Sequence, residues 1–102
     1  MKVILITQAR YGSSRLPGKV LLRVGSGTKT LLDIHLTRIQ HSSSIDKFIL
    51  ATTDETESSE ISRIGKLYSF DVFHGSVSDV LDRFYQAVKC YECTYVVRVT
   101  SD

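Results

Sequence analysis

The sequence predicts an α/β fold built on a parallel sheet, and three observations carry that expectation. Short runs at Val3–Ile6, Phe48–Ala51, Asp71–Phe73 and Tyr95–Val99 have the length and the apolar, β-branched character of strands. The segments between them carry apolar residues at helical spacing, as in Ile61, Ile64 and Tyr68. Strands that alternate with helices of about ten to fourteen residues assemble into a parallel sheet with right-handed crossovers.

Taken in order, Val3–Ile6 reads as a buried strand followed at once by a loop from Gln8 to Lys19. A short apolar piece, Val20–Val24, leads into a tight turn at Gly25-Ser26-Gly27. The first helix is expected near Thr30, whose hydroxyl can cap it with Asp33 three residues on. Leu31, Leu32, His35, Leu36 and Ile39 should then share a face against the sheet. The run Phe48–Ala51 ends in Thr52-Thr53-Asp54, and a second helix follows with Glu57 and Glu60 in its first turn, where the dipole favours acids. Asp71–Phe73 is a short strand closed by Gly75. Ser78 can cap a third helix, striped by Val80, Phe84, Ala87 and Tyr91 and widened by Leu81 and Val88. The last run, Tyr95–Val99, leads to Thr100-Ser101-Asp102.

Bulk composition narrows the classes. A chain of 102 residues with 42% hydrophobic content fits one domain with a modest core. A net charge of +2, spread along the helices in alternating sign, gives no nucleic-acid footprint. Val3–Ile6 is too short to span a bilayer and no secretory signal pattern is visible, so no membrane partner is expected and the cytoplasm is the expected compartment. Cys90 and Cys93 form a lone C-x-x-C that closes a helix instead of opening one, so free thiols are expected over a zinc or redox site.

Cations concentrate in the first loop. Arg10, Arg15 and Lys19 stand with Gly12, Gly18, Ser13 and Ser14 just after a strand, which is where an open parallel sheet binds a nucleotide. Glycine lets backbone N–H groups approach an anion, arginine offers a planar fork to phosphate oxygens, and lysine adds a point charge. Pro17-Gly18 can turn Lys19 back over the same place. The segment therefore reads as a phosphate cradle, with a solvated basic loop as the plain alternative. It is not a P-loop, because five residues separate Gly12 from Gly18 and Val20 follows Lys19.

Gln8-Ala9-Arg10, Arg15-Leu16-Pro17-Gly18-Lys19, Ala51-Thr52-Thr53-Asp54, Asp79-Val80-Leu81-Asp82-Arg83-Phe84 and Val97–Asp102, in this order and spacing, resemble the cytidylyltransferase family of sugar-activating enzymes. The likeness is greatest to the spore-coat polysaccharide biosynthesis protein F branch, with CMP-KDO and CMP-sialic acid synthetases as more distant relatives. It runs along essentially the whole chain. It implies a Rossmann-like three-layer α/β/α parallel sheet of the nucleotide-diphospho-sugar transferase type, truncated, with 1–102 as the N-terminal nucleotide-binding half of a nucleotidyltransferase domain.

The resemblance further implies transfer of CMP from CTP to a sugar, with release of pyrophosphate, in surface or spore-coat polysaccharide biosynthesis. Arg10, Arg15 and Lys19 match the family's triphosphate ligands, with backbone near Gly12 and Ser13 assisting. Gln8, Ala9, Thr52, Thr53 and Asp54 match its base-selecting region, and Arg83 a segment bordering the nucleotide. Asp79 and Asp82 are balanced between that segment and ordinary helix roles. Asp102 matches a Mg2+ ligand, although Ser101 stands where most members have glycine. A homodimer through exposed apolar surface is a further expectation, since a sheet ending at Tyr95–Val99 leaves an apolar edge. Histidines 35, 41 and 74 are expected as packing or surface residues, and Tyr11 as an exposed loop residue. A nucleotide-binding or assembly module without catalysis, and a nucleotidyltransferase using another NTP, stay open as alternatives.

Overall fold

A computed structural model of the chain describes residues 3–12, 18–25, 27–56, 58–75, 80–89 and 95–100. Four strands, β1 (Val3–Gln8), β2 (Lys47–Thr53), β3 (Asp71–Gly75) and β4 (Tyr95–Thr100), alternate with α1 (Leu31–Gln40), α2 (Ser58–Leu67) and α3 (Val80–Val88). A single 3-10 turn, Lys19–Leu21, precedes α1. All pairings are parallel and the order is β3-β2-β1-β4. The chain steps outward from β1 to β3 and then returns to the far side of β1, so the order reverses between β1 and β4. That reversal opens a crevice at the carboxyl ends of the strands.

Each face of the sheet has its own core. Ala9, Leu50, Leu32, Leu36, Ile61 and Ile64 form a buried cluster that places α1 and α2 on one face. Ile4, Ile6, Ile49, Ala51 and Ala87 form the other, which places α3 opposite. Alternation along β1 and β2 sorts these residues to the two sides. The result is the expected three-layer α/β/α arrangement. Each fully buried Ile or Leu adds roughly 1.5–3 kcal/mol through removal of apolar surface from water.

The expected cap of α1 is present in full. Asp33 N donates to Thr30 Oγ1 at 3.1 Å, while Asp33 Oδ2 accepts from Thr30 N at 2.8 Å. Tyr68, just past the end of α2, donates to Asp33 Oδ1 at 2.8 Å, so one carboxylate ties the start of α1 to the close of α2. Burial works to raise the Asp33 pKa, but hydrogen bonds from Thr30 and Tyr68, with the nearby charge of Lys29, outweigh it and hold the group below 3.8. Asp33 thereby takes an inner position that the periodicity alone would not assign. Leu31, expected on the inner face, is instead 40% exposed.

A second correction falls on α3. The spacing that carries Ala87 inward also carries Arg83, four residues earlier, and Arg83 is only 2% exposed. Leu81 points away from that stripe and is 77% exposed, so it does not widen the buried face. Ser78 and Tyr91 lie outside the described residues, as do Glu57, Cys90 and Cys93. Among the described residues no helix is long and apolar enough to cross a membrane. His35 packs as expected: it is half-buried, with Nε2 2.9 Å from Thr7 Oγ1 on β1.

Candidate functional site

Strand register sets the floor of the site. Gln8 pairs with Ala51 on one side and Thr100 on the other, and Thr53 pairs with Gly75. The carboxyl ends of all four strands therefore meet along one edge, at the crevice between β1 and β4. Ala9 continues the ladder by donating its N–H to Ala51 O at 3.0 Å, and it is buried. Thr52 is wholly buried, and its hydroxyl has no hydrogen-bond partner among the described residues. Asp54 is exposed beyond the strand end.

The loop is pinned where it begins and ends. Gly18 N donates to Tyr11 O at 2.7 Å and Gly18 sits at φ 76°, a left-handed conformation that favours glycine. A Cβ on Gly18 would lie 2.8 Å from Tyr11 Cε2, so the phenol ring rests directly over the glycine. Tyr11 is half-buried and packs against the α1 and α2 core, which corrects the expectation of an exposed, partnerless loop tyrosine. Lys19 follows as an exposed residue opening the 3-10 turn. Ser13 and Arg15 lie within 13–17, outside the described residues, and so does Asp102.

On the α3 side, the Arg83 Nε donates to Gln8 Oε1 at 2.9 Å. Gly75 makes room for this arrangement, since a Cβ there would meet Arg83 Cγ at 2.9 Å. Arg83 is thus fixed in the interface between α3 and the end of β1, not displayed on an outer helix face. Asp82, by contrast, accepts from Gln86 Nε2 at 3.3 Å along its own helix. A pocket of about 250 Å³ opens beside Gln8, lined also by Leu81, Phe84 and Arg98. The Arg98 guanidinium stands 5.9 Å from the centre of the Phe84 ring, within cation–π range.

Two further groups stand at this edge: Glu55, which carried no weight in the sequence, and His74, expected there as a packing or surface residue. Glu55 Oε1 accepts from Thr53 Oγ1 at 2.8 Å, and the glutamate lies beside Gly12. His74 Nδ1 is 3.0 Å from Thr53 O; a carbonyl can only accept, so Nδ1 carries a proton and donates it there. Residue type offers no hint of either placement, because both depend on strand register and on the path of the chain after β2. Among the described residues no group of three or more His, Cys, Asp or Glu stands close enough together to hold a metal.

A parallel sheet of this order, with a glycine- and arginine-bearing loop at the end of its first strand, places the molecule in the Rossmann-like α/β class. Within that class the chain belongs to the cytidylyltransferase family, whose sequence profile matches residues 4–102. It is 45% identical over its whole length to an uncharacterized protein of Methanocaldococcus jannaschii. It is 36% identical, over 98% of its length, to the spore coat polysaccharide biosynthesis protein SpsF of Bacillus subtilis. The chain spans 41% and 42% of the lengths of these two relatives. Among solved structures it matches a cytidylyltransferase from Leptospira borgpetersenii with a TM-score of 0.89 at 37% identity, covering all of this chain and 42% of that one. The fold also matches a CMP:2-keto-3-deoxy-manno-octonic acid synthetase complexed with CTP, TM-score 0.82 at 23% identity, covering all of this chain and 41% of that one.

Proposed function

We propose that the protein transfers CMP from CTP to a sugar, releasing pyrophosphate, and that residues 1–102 form the nucleotide-binding half of that domain. The observation that carries this reading is the meeting of Gln8, Ala9, Arg10, Gly12, Thr52, Thr53 and Asp54 at one carboxyl edge, beside the reversal of strand order. The CTP in the synthetase of like fold supports the choice of nucleotide. The name of the Bacillus subtilis relative supports a role in polysaccharide biosynthesis.

In this reaction a sugar oxygen attacks the α-phosphorus, the bond to the β-phosphate oxygen breaks, and the electron pair leaves with pyrophosphate. Positioning and charge neutralisation are the tasks left to the protein. Arg10, Arg15 and Lys19 hold the triphosphate, and the backbone around Gly12 and Ser13 supplies further N–H donors. Thr52, with its hydroxyl buried at the end of β2, and the neighbouring Thr53 and Asp54 face the pyrimidine. Arg83 holds Gln8 in place at the tip of β1. A single aspartate, Asp102, together with triphosphate oxygens and water, is a donor set that suits Mg2+. When bound, the ion would neutralise charge gathering on the pyrophosphate. We place the protein in the cytoplasm and pair it as a homodimer.

The test is thermal unfolding with CTP, UTP, ATP and GTP, each with and without magnesium. The largest rise in Tm is expected with CTP and magnesium, and Lys19→Ala should reduce it without lowering the Tm of the free protein. No response to any nucleotide from the folded protein would overturn the reading.

A further inference from the structure

Beside the loop, a chain of buried hydroxyls ends on a carboxylate. Ser58 and Thr53 are both fully buried, and their side-chain oxygens lie 2.7 Å apart. Thr53 has one hydroxyl proton and gives it to Glu55 Oε1, so Ser58 must donate to Thr53. The relay runs Ser58 to Thr53 to Glu55, and it holds the carboxylate from beneath.

Both carboxylate oxygens lie close to the loop, Oε1 at 3.6 Å from the position a Gly12 Cβ would take. Measured from the point where a side chain on Gly12 would begin, Glu55 Oε2 is 3.4 Å away and Arg10 Nη1 is 3.9 Å away. A guanidinium and a carboxylate thus both stand near Gly12, yet no ion pair joins them among the described residues. The surface beside Gly12 is bipolar. Arg10 can take a phosphate oxygen, but a phosphate cannot also approach Glu55 without repulsion between like charges. An ionised carboxylate only accepts hydrogen bonds, so its complement is an uncharged N–H or O–H donor close to a phosphate. In a nucleoside triphosphate the candidates are the ribose hydroxyls and, in cytidine, the exocyclic amine.

We propose that Glu55 is a nucleoside-binding residue that accepts hydrogen bonds from donor groups of the nucleotide while Arg10 holds its phosphates. The assignment rests on the CTP reading above. It makes Glu55 the group that separates a nucleotide from a bare polyphosphate at this loop.

The test is calorimetric binding of CTP, UTP, 2′,3′-dideoxy-CTP and inorganic tripolyphosphate to the wild-type protein, Glu55→Gln and Glu55→Ala, with the Tm of each variant as the check on folding. Glu55→Ala should weaken CTP by about tenfold or more, the weight of one charge-assisted hydrogen bond, and leave tripolyphosphate unchanged or bound more tightly, since a like charge is removed. Glu55→Gln keeps a carbonyl acceptor for Thr53 and should fall between. If the wild-type preference for CTP over the dideoxy analogue disappears in the variants, the donors are ribose hydroxyls. If the preference over UTP disappears, the donor is the amine. An equal loss for tripolyphosphate, or no change for any ligand, would each overturn the assignment while leaving the cradle in place. A wild-type protein that binds none of the four would remove the CTP reading itself, and Glu55's role with it.

Discussion

The Asp33 carboxylate joins the start of α1 to the close of α2 through three accepted hydrogen bonds, two from Thr30 and one from Tyr68. Thr30→Ala removes the side-chain half of the capping box and should cost about 1 kcal/mol, read as a lower urea midpoint with an unchanged slope. Because the folded Asp33 pKa lies below its ordinary value, its stabilisation is present above the unfolded pKa and is lost as pH falls through the folded one. Urea midpoints between about pH 5 and about pH 2 should therefore fall less steeply in Asp33→Asn than in the wild-type protein. His35 has the same sign by a different route. Burial, and then the charge of Arg38, push its pKa below 6.5, so its neutral form suits the folded state. Stability should decline as pH drops below about 6.5, and His35→Gln should flatten that decline. The Thr30–Asp33 pair was legible three residues apart in the sequence. The contacts of Asp33 with Tyr68 and of His35 with Thr7 were not, because each spans long stretches of chain.

At the scale of elements, α2 approaches the sheet through Gly65. A Cβ there would lie 2.7 Å from Leu50 Cδ2 and 2.9 Å from Val72 Cγ2, so Gly65→Ala should destabilise by about 1–3 kcal/mol through overpacking. A urea titration of the variant checks it. Gly18→Ala should cost about 1–2 kcal/mol from its left-handed backbone and should also displace the Tyr11 ring. Helix and strand order were readable from apolar spacing. The inner face of α3 was read only in part, since a periodic search counts apolar residues and passes over an arginine that its partners on β1 allow to be buried.

For the whole molecule, β4 pairs only with β1 among the described residues, and Tyr95, Val96 and Val97 are 57%, 38% and 40% exposed. Ligand binding acts at the same scale: CTP at a hundred times its Kd should stabilise by about 2.7 kcal/mol. For a chain of this size that is a Tm rise of roughly 10–20 °C, at about 4–8 °C per kcal/mol.

Apolar periodicity, cap residues and the cation-rich loop by themselves determined the layered α/β class, the parallel sheet and the place of that loop after β1, because these depend on neighbours a few residues apart. The tertiary structure alone decided that Arg83 would be held by Gln8, that Tyr11 would lie over Gly18, and that Glu55 and Arg10 would both stand near Gly12. Each of those depends on strand register and on the path of the connecting segments, which bring together side chains whose positions in the sequence carry no trace of one another.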